Sequence, residues 1–218
     1  MCRFNMNQKK IILFGGTFDP VHLGHTTVAS AAIEYIGAGQ LIFIPAKRSP
    51  LKGAVPRASD IDRLNMLSLA VSHEKYFTVS DYEINKPAPS YTLDTLRHFQ
   101  SQFGSDCSLF WLVGADSIDD LIFWHKVTEL IDECNVAMMY RADFKRPDFT
   151  KFERIWGKDR IEKLQRNIVP APLVKISSTE VRKRLASGGD VSQMLDNAVL
   201  SYIIEHSLYG SKPQNAIS

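Results

Sequence analysis

Short apolar runs at residues 11–14, 41–44, 77–80, 109–113 and 136–140 recur along the chain, and between them lie helical patterns at 25–36, 60–72, 92–102 and 126–134. Runs this short, bounded by glycine and polar residues, read as strands buried on both faces. Strands alternating with helices imply parallel pairing, because parallel neighbours need a crossover long enough to hold a helix. The expected fold is α/β: a doubly wound, Rossmann-like parallel sheet with helices on both faces. A further strand is expected at 173–176, leading into a helix at 178–186. Leu195, Val199 and Ile203 then repeat at i+4, which gives a small C-terminal helical part. The charged and aromatic stretch 143–167 reads as a mixed insertion with some helix. Residues 1–8 and 210–218 are polar and without periodicity, so they read as loose ends around a single domain at 9–209.

In an open sheet of this kind ligands bind beyond the carboxyl ends of the strands, where strand order reverses. The residues after each strand therefore carry the functional information. With 26 basic against 24 acidic residues, the net charge of +2 gives no broad field for a long nucleic acid, whereas a small anion needs only a local positive pocket. Cys2, Cys107 and Cys134 form no CxxC pair and no even set, which argues against a disulfide framework or zinc ribbon and points to a reducing cytoplasm. The run at 11–14 is too short for a signal peptide, and no stretch is long enough to span a bilayer, so no membrane role is expected.

The first strand leads into Gly15-Gly16-Thr17-Phe18-Asp19-Pro20-Val21-His22-Leu23-Gly24-His25. Glycines there let backbone amides approach a ligand, and Gly24 in or before the first helical turn likewise leaves space. His22 and His25, three apart, can point the same way from that turn. Imidazoles beside a positive helix end suit polyphosphate oxygens, to which they can donate hydrogen bonds. The blander alternative is a glycine-rich turn with surface histidines. Zinc binding by His-x-x-His lacks an obvious third ligand nearby, so no protein-held metal is expected.

The string GGTFDPVHLGH closely resembles the signature of the nucleotidylyltransferase superfamily, whose HxGH element is shared with class I aminoacyl-tRNA synthetases. The resemblance implies that His22 and His25 bind the ATP phosphates and stabilise the transition state, with Gly15, Gly16, Thr17, Phe18 and Gly24 shaping the ATP site. Later segments are similar to nicotinate mononucleotide adenylyltransferases of the bacterial type, in order and approximate spacing, from about residue 11 to 209.

The loop Ile44-Pro45-Ala46-Lys47-Arg48-Ser49-Pro50-Leu51-Lys52 looks like the family's PxxxPPHK, which implies a phosphate contact for Lys52. Leu51 stands where the family usually has histidine and Ala46 where it often has asparagine, so neither carries a polar role. Pro89-Ser90-Tyr91-Thr92-Leu93-Asp94-Thr95-Leu96 is similar to PSYTxDTL. It starts a helix, with Thr92 as the expected N-cap and Asp94 near the positive end. By resemblance Tyr91 and Thr92 help form the nicotinate site.

Gly114-Ala115-Asp116, followed by Phe123-Trp124-His125, resembles the family's GAD element and tryptophan. This implies a hydrogen-bonding role for Asp116 and a flat face for the pyridine ring at Trp124, although a tryptophan there could equally be core. Arg141 opens Arg-Ala-Asp-Phe where relatives show Arg-Pro-Gly-Tyr, and is a candidate phosphate contact. Ile176-Ser177-Ser178-Thr179-Glu180-Val181-Arg182 matches ISSTxxR. Ser177 and Glu180 have the spacing of a capping box. The resemblance adds that Ile176, Ser177, Ser178, Thr179 and Arg182 grip ATP from the side opposite the histidines.

Together these features imply transfer of AMP from ATP to nicotinate mononucleotide, with pyrophosphate released. The acceptor's phosphate is already an anion and needs no general base, and Mg2+ would be carried chiefly by the ATP phosphates. Two alternatives stand beside this reading: a pantetheine-phosphate adenylyltransferase, which shares HxGH but not the PSYT, GAD-to-Trp or ISST segments, and a non-catalytic nucleotide-binding regulator on the same fold. The expected partners are ATP and nicotinate mononucleotide, with no nucleic acid or membrane, and with homo-oligomerisation left open.

Overall fold

The computed structural model describes residues 9–48, 55–114, 119–141 and 147–211. It contains a six-stranded parallel sheet of β1 (Lys9–Gly16), β2 (Gln40–Pro45), β3 (Phe77–Val79), β4 (Cys107–Gly114), β5 (Asn135–Arg141) and β6 (Ile168–Ala171), in the spatial order β3-β2-β1-β4-β5-β6. The order reverses between β1 and β4, so the expected ligand crevice opens past Gly16 and Gly114.

The helices are α1 (Leu23–Ile36), α2 (Asp60–Val71), α3 (Tyr82–Asn85), α4 (Thr92–Phe103), α5 (Val127–Glu133), α6 (Glu153–Trp156), α7 (Lys158–Arg166), α8 (Ser178–Ser187) and α9 (Asn197–Glu205). Side chains alternate across the sheet, as the strand period of two requires. Ile11, Leu13, Ile42, Ile44, Leu109, Trp111 and Val113 join one core with Leu93, Leu96, Leu130 and Ile131 of α4 and α5. Ile12, Leu41, Phe43, Leu112 and Ala137 join the other with Ala29, Met66, Leu67, Val181 and Val199 of α1, α2, α8 and α9. The sheet is therefore doubly wound, as expected from the alternation.

One strand expectation needs correction. The sixth strand is residues 168–171, not 173–176: Ile168 and Val169 are buried, whereas Leu173 is 56% exposed. Pro170 and Pro172 disguise the strand, but β6 is an edge, where a residue without an N–H can pair. The stretch 143–167 does carry helix, as expected. Its α7 is the crossover between β5 and β6, and Phe149, Phe152, Trp156, Ile161 and Leu164 complete the first core.

Candidate active site

At the carboxyl end of β1 the two glycines are forced by neighbouring side chains. A Cβ on Gly15 would stand 2.5 Å from Cζ2 of buried Trp111, and one on Gly16 2.8 Å from Cζ of Phe18. Phe18 itself holds φ at 48°, an unfavourable conformation for a bulky residue. Burial of its ring against Phe14, Phe43 and His25 offsets that cost.

His22 is the N-cap of α1, and its backbone N–H donates to Nδ1 of His25 at 3.2 Å while its carbonyl accepts from the His25 N–H at 2.8 Å. The two rings stack with centroids 3.7 Å apart. This pairing explains Gly24, since a Cβ there would meet the His22 ring at 3.0 Å and Val174 at 3.2 Å. The space above Gly24 thus holds an imidazole. His22 is only 8% exposed, and its Nδ1 has no partner among the described residues. Burial holds its pKa down to about 4, so the ring is neutral at pH 7.

Distant anchors fix the loop. Arg63 of α2, fully buried, donates from Nη1 to the Thr17 carbonyl at 2.7 Å and from Nη2 to Asp60 at 2.6 Å. Ser178 Oγ donates to the Pro20 carbonyl at 2.9 Å, Arg182 Nη1 donates to the Asp19 carbonyl at 2.6 Å, and Leu23 N–H donates to the Met194 carbonyl at 2.9 Å. The start of α8 is thereby brought against the glycine loop, which unites the GGTFDPVHLGH and ISSTEVR segments in one place. Ser177 caps α8 by accepting from the Glu180 N–H at 3.2 Å, but the Glu180 carboxylate turns to Arg184 instead of completing the box. Thr179 accepts from Arg182 Nη2 at 3.2 Å. Ile176 packs into the core, which leaves its backbone as the part able to meet a ligand.

Backbone bonds carry the site sideways. Ala46 N–H donates to the Gly16 carbonyl at 2.8 Å, and Ser90 N–H donates to the Arg48 carbonyl at 3.1 Å. The N-cap of α4 is Tyr91, not Thr92 as expected, and its side chain makes no cap bond. The Tyr91 ring lies 4.4 Å from that of His125, next to half-buried Trp124. Thr95, one turn in, donates to buried Glu83 at 2.6 Å and so pins α4 to α3. Arg141 closes β5. Lys52 and Asp116 lie outside the described residues.

Sequence reasoning assigned no role to Asp19, Arg63, His125 or Tyr209. Asp19 and His125 lay inside the quoted segments, whereas Arg63 and Tyr209 carry no local signal. Among the described residues no group of three or more His, Cys, Asp or Glu side chains is placed to hold a metal ion, and no helix is long and apolar enough to cross a membrane.

Residues 13–184 match the model of the cytidylyltransferase-like family. A relative from Neisseria meningitidis, named "probable nicotinate-nucleotide adenylyltransferase", is 39% identical over 92% of this chain and 98% of its own length. One of the same name from Dehalococcoides mccartyi is 35% identical over 90% of this chain and 95% of its own. The fold is similar to that of the Plasmodium falciparum nicotinic acid mononucleotide adenylyltransferase complexed with NaAD, with a TM-score of 0.73 at 20% identity, covering 93% of this chain and 98% of that one. By sequence and by fold, the chain belongs to the cytidylyltransferase-like family and, within it, to the nicotinate-nucleotide adenylyltransferases.

Proposed function

We propose that this enzyme binds ATP between the Gly15–His25 loop and the start of α8, and transfers its AMP to nicotinate mononucleotide held near Tyr91 and Trp124. The observation that carries the reading is the junction of the stacked His22 and His25 with Arg182, made by the bond from Arg182 to Asp19. It gathers imidazole, guanidinium and helix-start donors where polyphosphate charge would lie.

A phosphate oxygen of the acceptor attacks the α-phosphorus of ATP, a P–O bond forms, and the bond to the β-phosphate oxygen breaks to release pyrophosphate. No side chain needs to remove a proton. His22, neutral through burial, contributes a hydrogen-bond donor without a fixed charge. Charge stabilisation falls to His25, Arg182 and the amides of the loop and α8, together with Lys52 and Arg141 on the acceptor side. Mg2+ enters with ATP as part of the substrate.

Trp124 offers its face to the pyridine ring and Thr92 and Asp116 polar contacts to the mononucleotide. Buried Cys107 and Cys134, both free thiols, suit a reducing cytoplasm, where both substrates are expected. His25→Ala should lower pyrophosphate release from ATP plus nicotinate mononucleotide by about a hundredfold or more while leaving the circular dichroism spectrum unchanged. Wild-type turnover by that variant would contradict the assignment.

A further inference from the structure

We propose that Tyr209, beyond the end of the family-model match at residue 184, is a positioning residue for ATP: it occupies the Asp19 carboxylate so that Arg182 stays available to phosphate. The inference rests on the proposed placement of Arg182 in the ATP site.

Asp19 is 5% exposed, and its carboxylate is surrounded by donors. Oδ1 accepts from the Tyr209 hydroxyl at 2.7 Å and the Ala58 N–H at 3.1 Å, and Oδ2 accepts from the Arg57 N–H at 2.8 Å. Arg182 Nη1 stands 3.9 Å from Oδ2, well outside the distance of a charge-assisted hydrogen bond, although it reaches the Asp19 carbonyl at 2.6 Å. A buried carboxylate beside a guanidinium would ordinarily draw it into a bidentate pair, and a guanidinium so paired has little left for a substrate phosphate. Here three neutral donors hold the carboxylate instead.

The hydroxyl is firmly delivered. Tyr209 lies in the turn Leu208–Gly210, which packs on α8 and α9: a Cβ on Gly210 would lie 3.7 Å from the Cα of Ala186, and Ser211 Oγ donates to the Ile203 carbonyl at 3.0 Å. Burial and the adjacent carboxylate push the phenol's pKa upward, so the hydroxyl remains a donor. The groups facing Asp19 are thus Tyr209, Arg182 and two backbone amides, with Arg63 behind them at Thr17.

Tyr209→Phe keeps the ring and removes one of the two donors on Oδ1, which leaves more uncompensated charge on the buried carboxylate and strengthens its pull on Arg182, 3.9 Å from Oδ2. The test measures kcat, KM for ATP, KM for nicotinate mononucleotide and the thermal midpoint in wild type, Tyr209→Phe, Arg182→Ala and the double variant. Tyr209→Phe should raise KM for ATP roughly tenfold, the effect of losing one hydrogen bond to a charged group, while the acceptor KM stays within about twofold. In the Arg182→Ala background it should add nothing, because no guanidinium remains to be captured. Additive effects, equal changes in both KM values, or a lowered thermal midpoint with unchanged kinetics would assign Tyr209 to the fold alone and overturn the proposal. Arg182→Ala with unchanged ATP kinetics would instead remove the placement of Arg182 in the ATP site, and this inference with it.

Discussion

The imidazole of His22 lies against that of His25 with 3.7 Å between centroids and 25° between planes. The stack sits on the side-chain-free face of Gly24, at the positive end of α1. Two histidines are thus held in one orientation by a glycine, a helix start and a backbone bond. Replacing either with alanine should lower kcat by about a hundredfold or more, the scale of losing one donor to developing negative charge. Steady-state pyrophosphate release, measured on samples whose thermal midpoints match wild type, checks this.

Stability should depend on pH through His22. Its pKa is lowered from 6.5 to about 4 in the folded protein, so below pH 6.5 the unfolded chain takes up a proton that the folded chain resists. The contribution is fully present above pH 6.5 and is lost as pH falls through about 4, with an upper size on the order of 3 kcal/mol. Urea unfolding at pH 7.5 and pH 4.5 should show this loss, and His22→Asn should flatten the difference.

Gly15→Ala should destabilise the protein by roughly 1–3 kcal/mol, because the new methyl group would lie 2.5 Å from the Trp111 ring inside a packed core. The thermal midpoint should fall, and ATP binding should weaken as the loop shifts. Gly39→Ala is the control: no atom lies within 4 Å of a Cβ built there, and stability should hardly change.

Trp124→Ala should raise KM for nicotinate mononucleotide by about tenfold, the scale of a lost aromatic stack, and leave KM for ATP near its wild-type value. This partly buried side chain packs against the first core, so a modest stability loss should accompany it. Trp124→Phe should recover most of the acceptor affinity.

Much of the architecture was legible because burial on both faces writes itself as short apolar runs. Residues 11–14, 41–44 and 109–113 all lie within observed strands, and helices α1, α2, α4 and α8 start or end within two residues of the expected bounds. The sixth strand was not legible, since Pro170 carries a local signal against a strand that only an edge position reverses. Thr92 has the chemistry of a cap, yet the chain enters α4 one residue earlier, at Tyr91.

The site itself divides the same way. The glycine loop, the paired histidines and the ISSTEVR helix start are contiguous in sequence and could be read as motifs. Their supports could not. Arg63 reaches Thr17 across 46 residues, Arg182 reaches Asp19 across 163 and Tyr209 reaches Asp19 across 190. Such contacts depend on how the crossovers close, a tertiary property with no local spacing rule.

Adenylyl transfer to nicotinate mononucleotide is tested most directly by offering the purified enzyme ATP and Mg2+ with nicotinate mononucleotide, nicotinamide mononucleotide or phosphopantetheine in separate reactions. Pyrophosphate and nicotinic acid adenine dinucleotide should appear in equal amounts from the first, with far lower kcat/KM for the other two acceptors. Preferred turnover of phosphopantetheine, or ATP binding with no pyrophosphate released from any acceptor, would contradict it.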